Sequence, residues 1–102
     1  LTDAGTASVS EIFASAIRMR PKSQVWGAAS RGDVVLAVWY DIPFFAKGYS
    51  LSIPEAQVLT YKGELLEGKG VWPDRDLYYV IEEAVKGQDS WLLRAYLQRN
   101  DF

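Results

Sequence analysis

The segment Gly5–Phe13 constrains this chain most, because it joins a glycine turn to a small polar residue and the start of an amphipathic helix. Ser8 stands three residues before Glu11, which is the spacing of a capping box. A serine at that point lies beside unpaired backbone N–H groups and the positive end of the helix dipole. The position suits a helix cap, and it also suits a nucleophilic serine with an oxyanion hole. The local sequence leaves both roles open for Ser8.

The composition predicts one small folded domain over residues 1–102 and excludes several classes of function. Hydrophobic residues make up 49% and aromatic residues 14% of the chain, which is enough for a packed core. The 11 Lys and Arg residues are scattered and the net charge is −2, so neither a nucleic-acid surface nor a polybasic membrane stripe is predicted. No apolar run approaches the roughly 20 residues that span a bilayer.

The chain contains no Cys and no His. Cysteine nucleophiles, thiolate zinc sites and a catalytic histidine supplied from within these residues are therefore excluded. No metal or cofactor is implied by any motif. The absence of Cys is compatible with an oxidising or a reducing compartment and decides neither.

The first half of the chain predicts one helix and two strands. A helix is predicted over 8–19, with one buried face, and Pro21 would end it. A short strand over 24–26 ends at Gly27, and the apolar run 34–40 predicts a strand buried on both faces. The residues predicted to form the buried helix face are Ile12, Phe13, Ala16 and Ile17.

The second half predicts strands and then two helices. Strands are predicted over 49–53 and 56–61, separated by Pro54 and Glu55, and residues 64–66 could pair back. Asp74 or Asp76 would begin a helix that ends near Lys86 and Gly87. Asp89 would cap the last helix. The inward positions predicted for these two helices are Leu77, Val80, Ile81, Ala84, Val85, Trp91, Leu92, Ala95 and Tyr96.

The order of elements predicts an α/β layer, although a thin one. The chain opens at Leu1, without an initiator Met, and the motif around Ser8 follows almost at once. We therefore expect a fragment or a processed piece of a longer protein, with further strands before Leu1 completing the sheet.

Residues 5–14, GTASVSEIFA, resemble the nucleophile segment of the tail-specific, or C-terminal processing, serine proteases, a G-x-A-S-A-S-E-I-like string. Other landmarks of that family follow in order over nearly the whole chain. They include a short strand ending in Gly27, a T-x-G-like element at 30–32, a G-x-x-L-x-L-P-like strand at 48–54, a G-x-x-x-E-G-x-G-V-x-P-D-like loop at 63–74 and a G-x-D-x-x-L-x-x-A-like helix start at 87–95.

The resemblance implies a fold, a reaction and site residues. The fold would be the crotonase-like β/α core, with this chain as its C-terminal portion. Ser8 would be the nucleophile of a serine peptidase acting on polypeptides through an acyl-enzyme. The backbone N–H of Val9 or Ser8, together with a donor from outside this chain, would form the oxyanion hole. An extracytoplasmic location is favoured by the resemblance alone.

One departure bears on the general base. Many family members pair the serine with a lysine, and that position falls on Asp33 here. A carboxylate with an ordinary pKa near ~3.9 is a poor base at neutral pH, although Asp33 stays open as a substitute base. The chain also resembles the tricorn-core and retinoid-binding-repeat branch, whose peptidases take a His upstream of the serine and orient it with a downstream Glu. Glu67 is the candidate for that orienting role.

The sequence leaves two other functions open. The chain could belong to a non-catalytic member that kept the fold as a binding or assembly module, as Asp33 suggests. It could also be a free-standing interaction domain, in which case Ser8 would be buried or far from the other landmarks. Phe44 and Phe45 could form an exposed partner surface or pack under the hairpin. We expect the isolated chain to be inactive and to associate with a missing N-terminal half or with itself.

Overall fold

The structure is a computed structural model that describes residues 1–45 and 47–99. Short helices and strands alternate with long loops. The described elements are α1 (Val9–Ile17), β1 (Trp26–Gly27), β2 (Val35–Asp41), β3 (Ser50–Gln57), β4 (Arg75–Asp76), α2 (Ile81–Val85) and α3 (Ser90–Leu97). This mixture of helix and strand confirms the coarse class that the sequence predicted.

A small parallel sheet lies beside α1. β1 pairs in parallel with β4, with Trp26 opposite Arg75, and Thr2 bridges in parallel to Gly27 on the other side. The Thr2 N–H donates to the Trp26 carbonyl at 2.9 Å, and the Ala28 N–H donates to the Thr2 carbonyl at 2.9 Å. The chain thus leaves a strand position at Thr2, turns, and enters α1.

The second sheet is an antiparallel hairpin whose exposure the sequence did not predict. β2 pairs with β3 from Val35 opposite Gln57 to Asp41 opposite Ser50. Val34 is 2% exposed, but no residue of β2 or β3 is fully buried. The prediction of a strand buried on both faces over 34–40 is therefore wrong. The hairpin extends away from the core, and only its base, which includes Val34, is packed into the core. The predicted break at Pro54 is also wrong, since a bulge between Leu36 and Ala37 lets β3 run through it.

The core is a compact apolar cluster that gathers side chains from α1 and from the loops. It contains residues from before β1, from the base of β2 and from both flanks of the glycine-rich turn over 67–70. Its buried members are Ala14, Val25, Val34, Leu66 and Val71, with Ile12 and Val58 packed against them. The loops that surround Ser8 therefore rest directly on the core.

The buried face of α1 differs from the predicted one. Glu11 and Ala14 are its buried residues, whereas Phe13 is 66% exposed. Ala16 is also exposed, and Ile12 and Ile17 are half-buried. The prediction assigned Glu11 only to the capping box, but its carboxylate is buried, so the buried face of α1 contains Glu11 and Ala14.

The first of the two C-terminal helices, α2, is shorter than predicted. Residues 75–76 form β4, so a helix starting at Asp74 or Asp76 is wrong. Asp74 instead accepts the Val25 N–H at 2.8 Å and pairs with Arg18 at 2.6 Å. Of the predicted inward positions, Leu77 is buried, but Ile81, Val85, Leu92 and Tyr96 are exposed. Asp89 caps α3 as predicted, accepting N–H groups from Trp91 and Leu92.

Candidate active site

Ser8 occupies a strained turn between the Thr2 strand position and α1. Its φ is 58° and its ψ is −131°, a region that residues other than glycine rarely adopt. The residue is exposed to solvent. The preceding turn is fixed by Asp3, whose carboxylate accepts the N–H groups of Gly5 and Thr6, each at 2.9 Å. The chain is thus forced to change direction sharply where the helix begins.

Two acceptors share the backbone N–H of Ser8. The Asp33 carbonyl lies 2.8 Å from it, and Oε2 of Glu11 lies 3.1 Å from it. The Glu11 contact is the reciprocal half of the predicted capping box. Within the described part of the chain, no hydrogen bond occupies the N–H of Val9, the first residue of α1. Of the two N–H groups considered for an oxyanion hole, only that of Val9 is therefore available.

Glu11 is the centre of the site's hydrogen bonding. Its side chain is completely buried, yet four donors reach its two oxygens. Oε1 accepts the Ser30 hydroxyl in a short hydrogen bond and the Gly32 N–H at 2.7 Å, while Oε2 accepts the Asp33 N–H at 3.0 Å and the Ser8 N–H.

These contacts set the protonation state of Glu11. Burial alone would raise the pKa of the Glu11 carboxyl, since it removes the charged form from water. The hydrogen bonds from Ser30, Gly32, Asp33 and Ser8 outweigh that effect and lower the pKa below its ordinary value of 4.5. Glu11 is therefore a buried anion at neutral pH.

The loop over 30–34 joins Glu11 to the glycine-rich turn over 67–70. Ser30 is buried, and its hydroxyl accepts the Val71 N–H at 2.7 Å while donating to Glu11. Gly32 has a φ of +77°, and a Cβ at this position would lie 2.9 Å from the Gly70 nitrogen. Glycine is required here because the two backbones approach so closely.

Glu67 lies at the same loop. Its Oε2 accepts the Val34 N–H at 2.6 Å, and the residue is half-buried. The side chain of Asp33, at the position of the family lysine, is exposed. Its main chain is the part that faces Ser8, through the carbonyl described above. Glu11 and Glu67 together bind three successive N–H groups, those of Gly32, Asp33 and Val34.

The candidate residues Ser8 and Glu67 bond to adjacent residues of one loop, Ser8 to the Asp33 carbonyl and Glu67 to the Val34 N–H, and Val9 follows Ser8 directly. Phe44 and Phe45 lie elsewhere, in the turn of the hairpin, where they are 89% and 73% exposed. The stretch at 30–32 that resembled a family landmark contacts Glu11 directly, and the stretch at 63–74 is linked to it through the hydrogen bond from the Val71 N–H to Ser30.

The sequence did not predict that Glu11 accepts the hydrogen bonds that hold the site together, or that Ser30 is one of the donors. Glu11 was assigned only to the capping box, and Ser30 only to the T-x-G-like element at 30–32. The available signal was the placement of Glu11 one turn before Ala14, on the stripe that is buried. Nothing in the spacing shows that four donors converge there.

No group of three or more Asp or Glu side chains in residues 1–45 and 47–99 is arranged to hold a metal ion. The helices of the described chain are also all too short or too polar to cross a membrane.

The fold is that of peptidases whose structures are solved. Over 92% of the chain, the structure matches the tricorn protease with a TM-score of 0.79 at 22% identity, covering 9% of that protein. Over 93% of the chain, it matches a putative peptidase from Parabacteroides merdae with a TM-score of 0.73 at 24% identity, covering 29% of that protein.

The sequence shows the family. The profile of peptidase family S41 matches residues 1–77, and the chain belongs to this family. It is 34% identical to a probable CtpA-like serine protease of Staphylococcus aureus and 32% identical to one of Staphylococcus haemolyticus, each over 74 residues and 72% of this chain. The chain spans 14% of the length of these curated relatives. The resemblance to C-terminal processing serine proteases is thereby confirmed.

Proposed function

We propose that the full-length protein is a serine-type peptidase of the C-terminal processing kind and that Ser8 is its nucleophile. The observation that supports this most is the backbone of Ser8, which is exposed and strained at the start of α1. Backbone strain of this kind concentrates at functional sites, and hydrolases hold a nucleophilic serine on a similar sharp strand-to-helix turn. A helix cap alone does not require it, since cap residues ordinarily adopt the extended region.

The reaction follows acyl-transfer chemistry. The Ser8 Oγ attacks the carbonyl carbon of a peptide bond while a general base takes its proton, and the carbonyl oxygen becomes an oxyanion. The tetrahedral intermediate collapses, the C–N bond breaks, and the amine leaves with a proton from the protonated base. Water then attacks the ester, and its proton returns through the base to the Ser8 oxygen.

The N–H of Val9 would stabilise the oxyanion. It is the first residue of a 9-residue helix, where the dipole is positive and N–H groups lack intrahelical partners. The Ser8 N–H cannot serve equally, because Asp33 and Glu11 already accept it. A second donor would come from residues outside this stretch.

The general base would also come from outside these 102 residues, since they contain no His. Glu67 would orient that base, using the oxygen that does not accept the Val34 N–H. We accordingly expect the isolated chain to have no peptidase activity. Serine-dependent turnover by the isolated chain, abolished in Ser8→Ala, would contradict this.

We also propose that residues 1–102 are a C-terminal portion of a crotonase-like core. The supporting observation is the unusual amount of apolar surface left exposed, including Phe13 at 66% and Trp39 at 72%. Burying such surface stabilises a folded domain by roughly 25 cal/mol per Å². The remainder of the protein, or a second copy of it, would cover these side chains.

The test measures hydrolysis of an unfolded polypeptide by the full-length protein. Ser8→Ala should abolish turnover, while Ser10→Ala, a matched exposed serine two residues further along, should retain it. Equal activity of Ser8→Ala and wild type would contradict the proposal.

The alternative is a binding or assembly module that lacks turnover. It is favoured by Asp33, whose exposed carboxylate stands at the family lysine position. A folded full-length protein that binds unfolded polypeptide but hydrolyses none would support this alternative over the peptidase.

A further inference from the structure

We propose that Glu11 is a positioning residue for the Ser8 nucleophile, acting as a buried anion that holds the strained turn in its reactive geometry. The inference rests on the proposed peptidase function. It concerns a residue that does not touch the substrate and acts only through the backbone of Ser8 and the loop over 30–33.

Glu11 binds both the backbone of the nucleophile and the loop that faces it. One oxygen, Oε2, accepts the N–H of Ser8 at 3.1 Å and the N–H of Asp33 at 3.0 Å. The Ser8 N–H in turn points at the Asp33 carbonyl, 2.8 Å away. These three contacts close a small ring of hydrogen bonds, so that Ser8 cannot rotate out of its positive φ without breaking two of them.

The other oxygen of Glu11 fixes this ring to the rest of the site. Oε1 accepts the Gly32 N–H at 2.7 Å and the Ser30 hydroxyl, and that hydroxyl accepts the Val71 N–H at 2.7 Å. A continuous chain of hydrogen bonds therefore runs from the glycine-rich turn through Ser30 and Glu11 to Ser8. A strained backbone conformation persists only where the surrounding contacts stabilise it by more than the strain costs. These hydrogen bonds supply such contacts for Ser8.

A carboxylate is needed here because every group around it is a donor. Glutamine has the same shape, but one of its two terminal groups would turn an NH₂ toward N–H or O–H donors. At least one pair of donors would then lose its acceptor around a side chain that is fully buried. Glu11→Gln should therefore loosen the Ser8 turn while leaving the shape of the core unchanged.

This arrangement also directs the choice of oxyanion donor. By taking up the Ser8 N–H, Glu11 and the Asp33 carbonyl leave the N–H of Val9 as the free donor at the helix start. Loss of Glu11 would leave the Asp33 carbonyl as the acceptor of the Ser8 N–H and would let the N–H groups of Ser8 and Val9 change direction. Misplacement of reacting groups by about 1 Å can reduce a rate by ~100-fold, so the effect should fall on the chemical step.

The experiment compares Glu11→Gln with Glu82→Gln, an exposed carboxylate of α2, in the full-length protein. Three quantities are measured: the rate of labelling by a fluorophosphonate, kcat and KM for a peptide substrate, and the folded fraction by circular dichroism. We expect Glu11→Gln to reduce labelling and kcat by about 100-fold with KM changed by less than about 3-fold. Glu82→Gln should match wild type.

A second variant keeps the proposal testable if Glu11→Gln does not fold. Ser30→Ala removes one donor to Glu11 and should reduce labelling by about 10-fold with KM unchanged. Folded Glu11→Gln or Ser30→Ala protein that is labelled at the wild-type rate would overturn the inference. So would a loss of labelling no larger than the loss of folded protein. Wild-type protein that is not labelled at all would overturn the proposed function itself, and this inference with it.

Discussion

The N–H of Ser8 donates to the carbonyl of Asp33 at 2.8 Å, so the residue at the family's lysine position contacts the candidate nucleophile through its main chain. Any amino acid at position 33 can supply that carbonyl. The exposed Asp33 side chain is therefore not required to hold Ser8 in place. The backbone of residue 33 therefore helps to hold Ser8, whereas its side chain can be replaced without losing that hydrogen bond.

Asp33→Asn tests that separation. We expect unchanged stability, within about 0.5 kcal/mol, because the exposed side chain is nearly isosteric and the carbonyl is retained. We also expect the labelling of Ser8 by a fluorophosphonate to persist, since the base is proposed to lie elsewhere. A folded Asp33→Asn variant that has lost labelling would instead identify Asp33 as the base.

Replacing Ser8 by glycine should stabilise the protein while removing its nucleophile. Strain at a positive φ costs about 1–3 kcal/mol, and glycine relieves it at an entropic cost of up to ~1 kcal/mol. We expect a net gain of about 1 kcal/mol in the free energy of unfolding, measured by urea denaturation followed by tryptophan fluorescence.

The matched control for Ser8→Gly is Ser10→Gly, inside α1. A glycine within a helix should lower stability by about 0.5–1 kcal/mol. Ser8→Gly that destabilises the protein as much as Ser10→Gly would show that the turn at Ser8 is not strained.

Gly32 and Gly63 form a second matched pair. Their φ values are +77° and +78°, but a Cβ on Gly32 would lie 2.9 Å from the Gly70 nitrogen, whereas nothing lies within 4 Å of one on Gly63. Gly63→Ala should cost about 1 kcal/mol for its backbone conformation alone. Gly32→Ala should cost more than about 3 kcal/mol and should also slow labelling of Ser8, because the loop over 30–33 must move. Equal losses of stability would exclude the close packing of the two loops.

The lowered pKa of Glu11 predicts how stability depends on pH. A group whose pKa is lower in the folded protein stabilises it fully above the unfolded value, here 4.5, and loses that contribution as the pH falls through the folded value. Below pH 4.5, wild type should therefore lose stability more steeply than Glu11→Gln. Denaturant midpoints measured from pH 7 downward test this, with Glu82→Gln expected to follow the wild-type curve. Parallel curves for wild type and Glu11→Gln would contradict it.

The sequence predicted the parts of the site that depend on local spacing. The spacing of Ser8 and Glu11 predicted the start of α1, and Asp89 was correctly predicted to cap α3. The order of the family-like motifs predicted that Glu67 would lie at the loop that also contacts Ser8. In each case, the residues that interact are close along the chain or belong to a pattern that marks a known arrangement.

The rest depends on contacts between distant parts of the chain. Glu11 accepts a hydrogen bond from Gly32, 21 residues away, and Asp74 accepts one from Val25, 49 residues away. Neither pair could be predicted from local spacing. A carboxylate in the first turn of a helix ordinarily faces solvent, which is why the burial of Glu11 was not predicted. The apolar run over 34–40 was predicted to be buried because its hydropathy is typical of a buried strand. Hydropathy does not show whether other residues of this chain pack over that strand.

The central claim is that Ser8 is an activated nucleophile. The most direct measurement is to treat the folded full-length protein with a fluorophosphonate and to locate the adduct by peptide mass spectrometry. We expect one phosphonyl group on the Ser8 oxygen, absent after Ser8→Ala and retained in Ser10→Ala. Folded protein that carries no adduct, or an adduct on another serine that persists in Ser8→Ala, would contradict it.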